Sequence, residues 1–168
     1  MFFNLFCSGA PCCDFEQVGS THREGHMLRT KQVLGALTRM TEAPELRFVS
    51  YKQGRLAYRE AGAGRALLFL HGMNGNSKSW AFAFQALSPS FRVVASDAPS
   101  CGKSDSFGDS LEDYVAAVKA LIRSLELQDV VVIGHSMGGL VATSLAAEPD
   151  MPVTGLILSS THLGFSLP

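Results

Sequence analysis

At 168 residues with 46% hydrophobic side chains, the chain is long enough for one domain with a substantial core and too short for two of ordinary size. Fourteen basic against fifteen acidic residues leave a net charge of -1, so no whole-protein field draws nucleic acid or an anionic membrane, and a small neutral partner is the expectation. No apolar run approaches the roughly 18 residues of a membrane span, and the opening MFFNLFCSGAPCC lacks the basic start of a signal peptide.

Residues 1–43 carry no strong periodicity and read as a poorly ordered N-terminal extension ahead of a domain over 44–168. Met40 is an alternative start that would remove the extension and leave that domain untouched. Cys7, Cys12 and Cys13 fall in this extension and, with Cys101, form no spaced disulfide framework, so a reducing, cytoplasmic setting is expected. LRFVSY and RLAYREA around Gly54 then predict a hairpin. ALLFLH (66–71) is a continuous apolar run bounded by turn residues, the pattern of a strand covered on both faces. SKSWAFAFQAL places Trp80, Phe84 and Leu87 at i, i+4, i+7 behind Ser77 as cap, which predicts a helix. FRVVASD (91–97) predicts the fourth strand.

SLEDYVAAVKALIRSL opens with a capping box, Ser110 and Asp113, and its stripe of Leu111, Val118, Ile122 and Leu125 predicts a helix. DVVVIG (129–134) predicts a fifth strand, MGGLVATSLAAE a helix stopped by Pro149, and VTGLILSS a sixth strand. Strands alternating with helices imply an α/β fold: a mostly parallel sheet with helices on both faces and its chemistry at the carboxyl ends of the strands.

Gly134-His135-Ser136-Met137-Gly138 is a G-x-S-x-G between a predicted strand and a predicted helix. A nucleophile there sits on a strained turn, and Gly134 and Gly138 avoid a Cβ that would strike it. Ser136 is the candidate nucleophile. His71-Gly72 ends the third strand, where a tight turn at Gly72 lets the backbone N–H of Met73 join that of Met137 in a two-donor oxyanion hole.

With these positions the chain resembles the α/β-hydrolases of the esterase, lactonase and carbon–carbon-bond hydrolase type, over roughly residues 45–165, through HGMNGNSKSW, DAPSCGKSD and GHSMGGLVA. The family's loop usually reads D-x-P-G-x-G-x-S. Asp97, Pro99, Gly102 and Ser104 fit, while Ser100 stands where glycine is usual and Cys101 where an aromatic or histidine is common. The resemblance implies an α/β-hydrolase fold that is C-terminally incomplete, lacking the cap and the last strands. It also implies a serine hydrolase acting on a small ester or lactone through an acyl-enzyme, with no cofactor or metal.

In that family the order is serine, acid, histidine. After Ser136 the acids are Glu148 and Asp150, expected at the end of the sheet away from the elbow. His162 is the one histidine downstream; it falls on the correct side of the sheet but matches no motif position, and it is the candidate base. His71 is expected to brace its turn and His135 to pack sideways. Asp97, Asp105 and Asp109 are expected to brace loops or solvate a helix end. Strand six is expected to be an exposed apolar edge, and the isolated chain to be poorly behaved and nearly inactive. Two other classes are a non-catalytic hydrolase-like module and a nucleotide-binding protein suggested by Gly102-Lys103-Ser104. The last requires a glycine where Asp97 stands.

Overall fold

The structure, a computed structural model, describes residues 42–162. Residues 1–41 of the 1–43 extension, with Cys7, Cys12, Cys13 and the alternative start at Met40, lie outside the described residues. The elements in chain order are β1 (Leu46–Tyr51), β2 (Gly54–Ala61), β3 (Ala66–Leu70), a 3₁₀ turn (Ser77–Trp80), α1 (Ala81–Leu87), β4 (Arg92–Ser96), α2 (Leu111–Ser124), β5 (Val130–His135), α3 (Met137–Ala146) and β6 (Val153–Ser159).

They build one six-stranded sheet in the order β1-β2-β4-β3-β5-β6. The hairpin β1–β2 and the pair β2–β4 are antiparallel, and β3, β4, β5 and β6 run parallel. From β3 the chain crosses through α1 to β4 on one side, then returns through α2 to β5 on the other. The winding therefore reverses at β3, and such a switch point opens a crevice at the carboxyl ends of the strands.

The period-two alternation of a strand explains why ALLFL is apolar throughout. Leu68 and Leu70 face a core with Val94, Val130 and Val132, covered by Tyr114, Val118, Leu121 and Ile122 of α2 and Val141, Ala142 and Leu145 of α3. Leu67 and Phe69 face the opposite way, into a smaller core with Val93, Ala95 and Ile133 that Phe84 of α1 closes, with Trp80 and Leu87 packed at its margin. Helices thus lie on both faces.

Two sequence expectations are corrected in detail. Ser77 is not the cap of its helix: Asn76 is, its side-chain Oδ1 accepting the Lys78 N–H at 2.9 Å, while Ser77, the first residue of the turn, donates its N–H to the Asp97 carboxylate at 2.7 Å. The segment also begins as a 3₁₀ turn and becomes α-helical only at Ala81. Leu111 is 37% exposed, because the first residue of α2 points its Cβ back past the helix start. The buried stripe runs instead through Tyr114, Ala117, Val118, Leu121 and Ile122. The capping box is as expected, Ser110 Oγ accepting the Asp113 N–H at 3.1 Å.

Strand β6 ends the sheet and leaves Leu156, Ile157 and Leu158 exposed at 38%, 54% and 36%. Glu148 and Asp150 precede it at its amino end, in ion pairs of 2.9 Å with Lys119 and Arg123. Both Arg123 and Asp150 are more than half exposed, so Arg123→Ala is expected to change stability by less than about 0.5 kcal/mol, as read from a urea midpoint. Among the described residues no helix is long and apolar enough to cross a membrane.

Candidate active site

Strand β5 delivers its last residues from the core directly into the turn at Ser136, whose φ of 51° and ψ of -118° lie in a region that residues with a Cβ avoid. Its backbone N–H donates to the Ser159 carbonyl at 2.9 Å and its carbonyl accepts the Gly139 N–H at 2.9 Å, so the surrounding structure holds the strained residue from both sides. Ser136 caps α3 without any hydrogen bond from its side chain, which leaves Oγ uncommitted at the mouth of the helix.

The flanking glycines are required by close approach. A Cβ on Gly134 would lie 2.5 Å from the Gly138 carbonyl oxygen, and one on Gly138 would lie 2.3 Å from the Leu70 carbonyl oxygen. Gly72 lies against the same turn, for its Cβ would meet the Ser136 Cβ at 3.1 Å and the His135 ring at 2.9 Å. The loop after β3 is therefore packed onto the candidate nucleophile. Met137 is the first residue of α3, so its N–H is one of the helix's unpaired amino-terminal donors. Met73 is 75% exposed on the other rim.

Along the loop after β3 lies a cleft of about 400 Å³ whose lining reaches His135 and Ser159 but includes neither Ser136 nor Met137. Met73 and Trp80 supply its apolar wall, and Asn74, Ser79, His135 and Ser159 its polar one; among the described residues no Asp, Glu, Lys or Arg lines it. His135 is exposed and forms part of this wall, its ring lying beside Gly72.

Strain gathers here. Asn74, Ser100, Ser136 and Ser160, one after each parallel strand, have positive φ of 60°, 61°, 51° and 50° although none is glycine. Ser100 stands where the related loops carry glycine, and the loop keeps a left-handed residue there, with Ser100 Oγ donating to Ser106 Oγ at 2.9 Å. Ser100→Gly is expected to stabilise by up to about 1 kcal/mol, because only glycine takes this conformation without a Cβ penalty, and Ser100→Ala to destabilise, because it keeps the Cβ and loses the bond to Ser106. Denaturant midpoints of the two variants check the ordering.

Asp97 organises the loop after β4. It is 3% exposed, and its carboxylate accepts the N–H of Ser77 at 2.7 Å and of Lys103 at 2.8 Å. A Cβ on Gly102 would lie 2.1 Å from Asp97 Oδ2. The amides that a phosphate-binding loop would offer to an anion are thus held by a carboxylate, as the residue at this position implied. Asp105 braces the same loop by accepting the Arg55 N–H at 2.8 Å. Cys101, at the loop's turn, is a half-buried free thiol that burial pushes up from its ordinary pKa.

His71 is 1% exposed. Its Nε2 accepts the Ala98 N–H at 3.0 Å, which leaves Nδ1–H to donate to the Gly72 carbonyl at 2.7 Å. Burial lowers its pKa, against the raising pull of the Gly72 carbonyl and Asp97. On acidification the unfolded chain binds the proton first, so stability contributed by neutral His71 declines as pH falls below about 6.5 toward the lower folded pKa. A thermal midpoint that drops on acidification below that pH, and drops less in His71→Gln, is the expected result.

His162 lies three residues past β6 and is exposed. Its neighbour Thr161 packs on α3, since a Cβ on Gly139 would meet Thr161 Oγ1 at 1.9 Å. That contact brings the segment beside the start of α3, on the elbow's side of the sheet. Sequence reasoning misses two roles: the Ser159 carbonyl that holds the elbow, and Asn74 in the cleft wall. The positive φ of Asn74 has a sequence signal, because asparagine tolerates the left-handed region better than most residues; the reach of Ser159 depends on pairing between β5 and β6 and has none.

A family profile for the alpha/beta hydrolase fold matches residues 65–168. An uncharacterised protein of Mycobacterium bovis is 35% identical over 119 residues, which cover 70% of this chain and 35% of that one. The 2-hydroxy-6-oxononadienedioate/2-hydroxy-6-oxononatrienedioate hydrolase 1 of Dechloromonas aromatica is 34% identical over 137 residues, or 74% of this chain and 47% of the relative. Among solved structures, an N-acyl homoserine lactone degrading enzyme superposes with a TM-score of 0.65 at 26% identity, covering 68% of this chain and 45% of the other. The chain therefore spans between about a third and a half of the length of these proteins. With the profile covering more than half of its residues and the sheet order in place, the chain belongs to the α/β-hydrolase fold family.

Proposed function

We propose that the protein is a serine hydrolase of the carboxylic-ester type, in which Ser136 attacks the carbonyl of a small uncharged ester or lactone. The observation that carries this reading is the backbone of Ser136, held at φ 51° and ψ -118° between a buried strand and a helix start, with glycines at the two positions where a Cβ would collide. Such strain persists only where the surroundings enforce it, and it presents Oγ at the end of the sheet.

In the first step Oγ bonds to the carbonyl carbon, its proton passes to a base, and the carbonyl oxygen takes negative charge between the N–H groups of Met73 and Met137. Collapse expels the alcohol, protonated by the same base, and leaves an acyl-enzyme; water then repeats the sequence and frees the acid. His162 is the one histidine among the described residues after Ser136 and serves as the candidate base; no acid among the described residues is assigned to orient it. The uncharged lining of the cleft supports a neutral acyl group, and the lactone-degrading neighbour is consistent with a lactone.

A second reading is a non-catalytic module that keeps the cleft, favoured by the position of Glu148 and Asp150, the acids after Ser136 among the described residues, at the amino end of β6 in ion pairs with Lys119 and Arg123. Treatment of the natively expressed protein with a fluorophosphonate separates the two. Labelling that disappears in Ser136→Ala supports the hydrolase. A folded protein that stays unlabelled, or a Ser136→Ala variant that labels as before, supports the module.

A further inference from the structure

We propose that Met73 is an oxidation site: a hydroperoxide converts its thioether to the sulfoxide ahead of the other described methionines, and the change turns one wall of the cleft from apolar to polar. The backbone explains why this side chain stands out. The Gly72 carbonyl accepts the Gly75 N–H at 3.1 Å, which closes a tight turn with Met73 and Asn74 at its corners. Asn74 has the positive φ of 60° that asparagine tolerates at the second corner of such a turn. Corners project their side chains away from the protein and usually carry polar residues. Met73 is 75% exposed, the highest value among the large apolar residues described.

The turn cannot withdraw the thioether by moving as a whole, because both of its feet are packed. A Cβ on Gly72 would lie 3.1 Å from the Ser136 Cβ, and one on Gly75 would lie 3.0 Å from the His71 Cβ. Its tip alone is open. The other described methionines are sheltered, Met137 half-buried against the larger core and Met151 only 8% exposed. Cys101, the free thiol of the neighbouring loop, is half-buried, and burial holds it in the less reactive protonated form.

In the reaction a sulfur lone pair of Met73 attacks the terminal oxygen of the hydroperoxide and the O–O bond breaks. The departing oxygen takes the hydroperoxide proton and leaves as water or an alcohol; sulfur is oxidised by two electrons and the peroxide is reduced. Met73 and Trp80 supply the apolar wall of the cleft, so the sulfoxide oxygen places a strong hydrogen-bond acceptor where a neutral apolar group would lie. The backbone of the turn is untouched. Binding of an apolar ligand is therefore expected to weaken while the chemical step at Ser136 is not. That consequence rests on the hydrolase reading; the oxidation itself does not.

Hydrogen peroxide treatment of the natively expressed protein, followed by peptide mass analysis and fluorophosphonate labelling of the same samples, provides the test. Met73 is expected to gain oxygen about tenfold faster than Met137 or Met151. In the oxidised protein the half-saturating concentration of an alkyl fluorophosphonate is expected to rise about fivefold or more, with the maximal labelling rate changed less than about twofold and the rise reversed by methionine sulfoxide reductase. Met73→Leu, compared with itself before and after peroxide, is expected to show no such rise. Trp80, the one tryptophan of the chain, lines the same cleft, and its emission is expected to move to longer wavelength on oxidation, a readout that needs no labelling. Oxidation of Met137 or Met151 as fast as Met73, a Met73→Leu variant that responds to peroxide like the parent, or an unchanged half-saturating concentration in a protein that labels would overturn the proposal. So would an unchanged Trp80 emission after complete oxidation of Met73. A protein that never labels but oxidises first at Met73 and shifts its Trp80 emission would refute the hydrolase reading and leave the oxidation site intact.

Discussion

Asp97→Ala is expected to cost about 3–5 kcal/mol of folding stability. The carboxylate is 3% exposed and binds two backbone amides, Ser77 N–H at 2.7 Å and Lys103 N–H at 2.8 Å. Hydrogen bonds to a charged group are worth about 1.5–3 kcal/mol each, and alanine would leave both donors without their acceptor. The damage would be local to the site, because these amides belong to the loops after β3 and β4. Asp97→Asn keeps one acceptor oxygen and is expected to lose about half as much. Urea midpoints at unchanged slope provide the measurement. A loss under about 1 kcal/mol for the alanine variant would mean that the carboxylate does not hold the loops.

The second large effect is expected from Gly138→Ala, at about 3 kcal/mol or more. The added Cβ would stand 2.3 Å from the Leu70 carbonyl oxygen and 2.6 Å from the His71 carbonyl oxygen. Both obstacles are backbone at the end of the central strand and cannot rotate away. Relief would require α3 to lift from β3, separating Met137 from the loop that carries Met73. The variant is therefore expected to lose fluorophosphonate labelling even in the fraction that stays folded. Gly155→Ala in β6 is the matched control. Its Cβ would lie 3.2 Å from a Val131 methyl carbon that can give, and its cost is expected to stay below about 1 kcal/mol. Equal costs at the two positions would show that the contact of α3 with β3 does not set the elbow.

The elements were legible because their signals are local. The alternation of apolar residues through ALLFL, the capping box at Ser110 and Asp113, and the glycines around Ser136 each act over a few neighbouring positions. The departures were equally physical. Ser77 reads as a cap, but it lies one residue inside the turn, its N–H held by a carboxylate twenty residues away, and Asn76 is the cap. Leu111 fits the apolar stripe of α2 yet lies at the helix start with nothing beneath it. For the site, the candidate nucleophile and its glycines could be read from the turn they must form. The role of Asp97 as a loop brace could be read only by exclusion. The Ser159 carbonyl on the Ser136 N–H, and the contact of Thr161 with Gly139, depend on the register of β6 on β5 and have no local pattern.

The central claim is that Ser136 is a nucleophile presented to an oxyanion site made by two backbone amides. A crystal structure of the phosphonylated protein tests it most directly. The predicted result is a phosphorus–oxygen bond to Ser136 Oγ, with the phosphonyl oxygen about 2.7–3.1 Å from the N–H nitrogens of both Met73 and Met137. An adduct on another residue, or a phosphonyl oxygen turned to solvent away from those two amides, would contradict it.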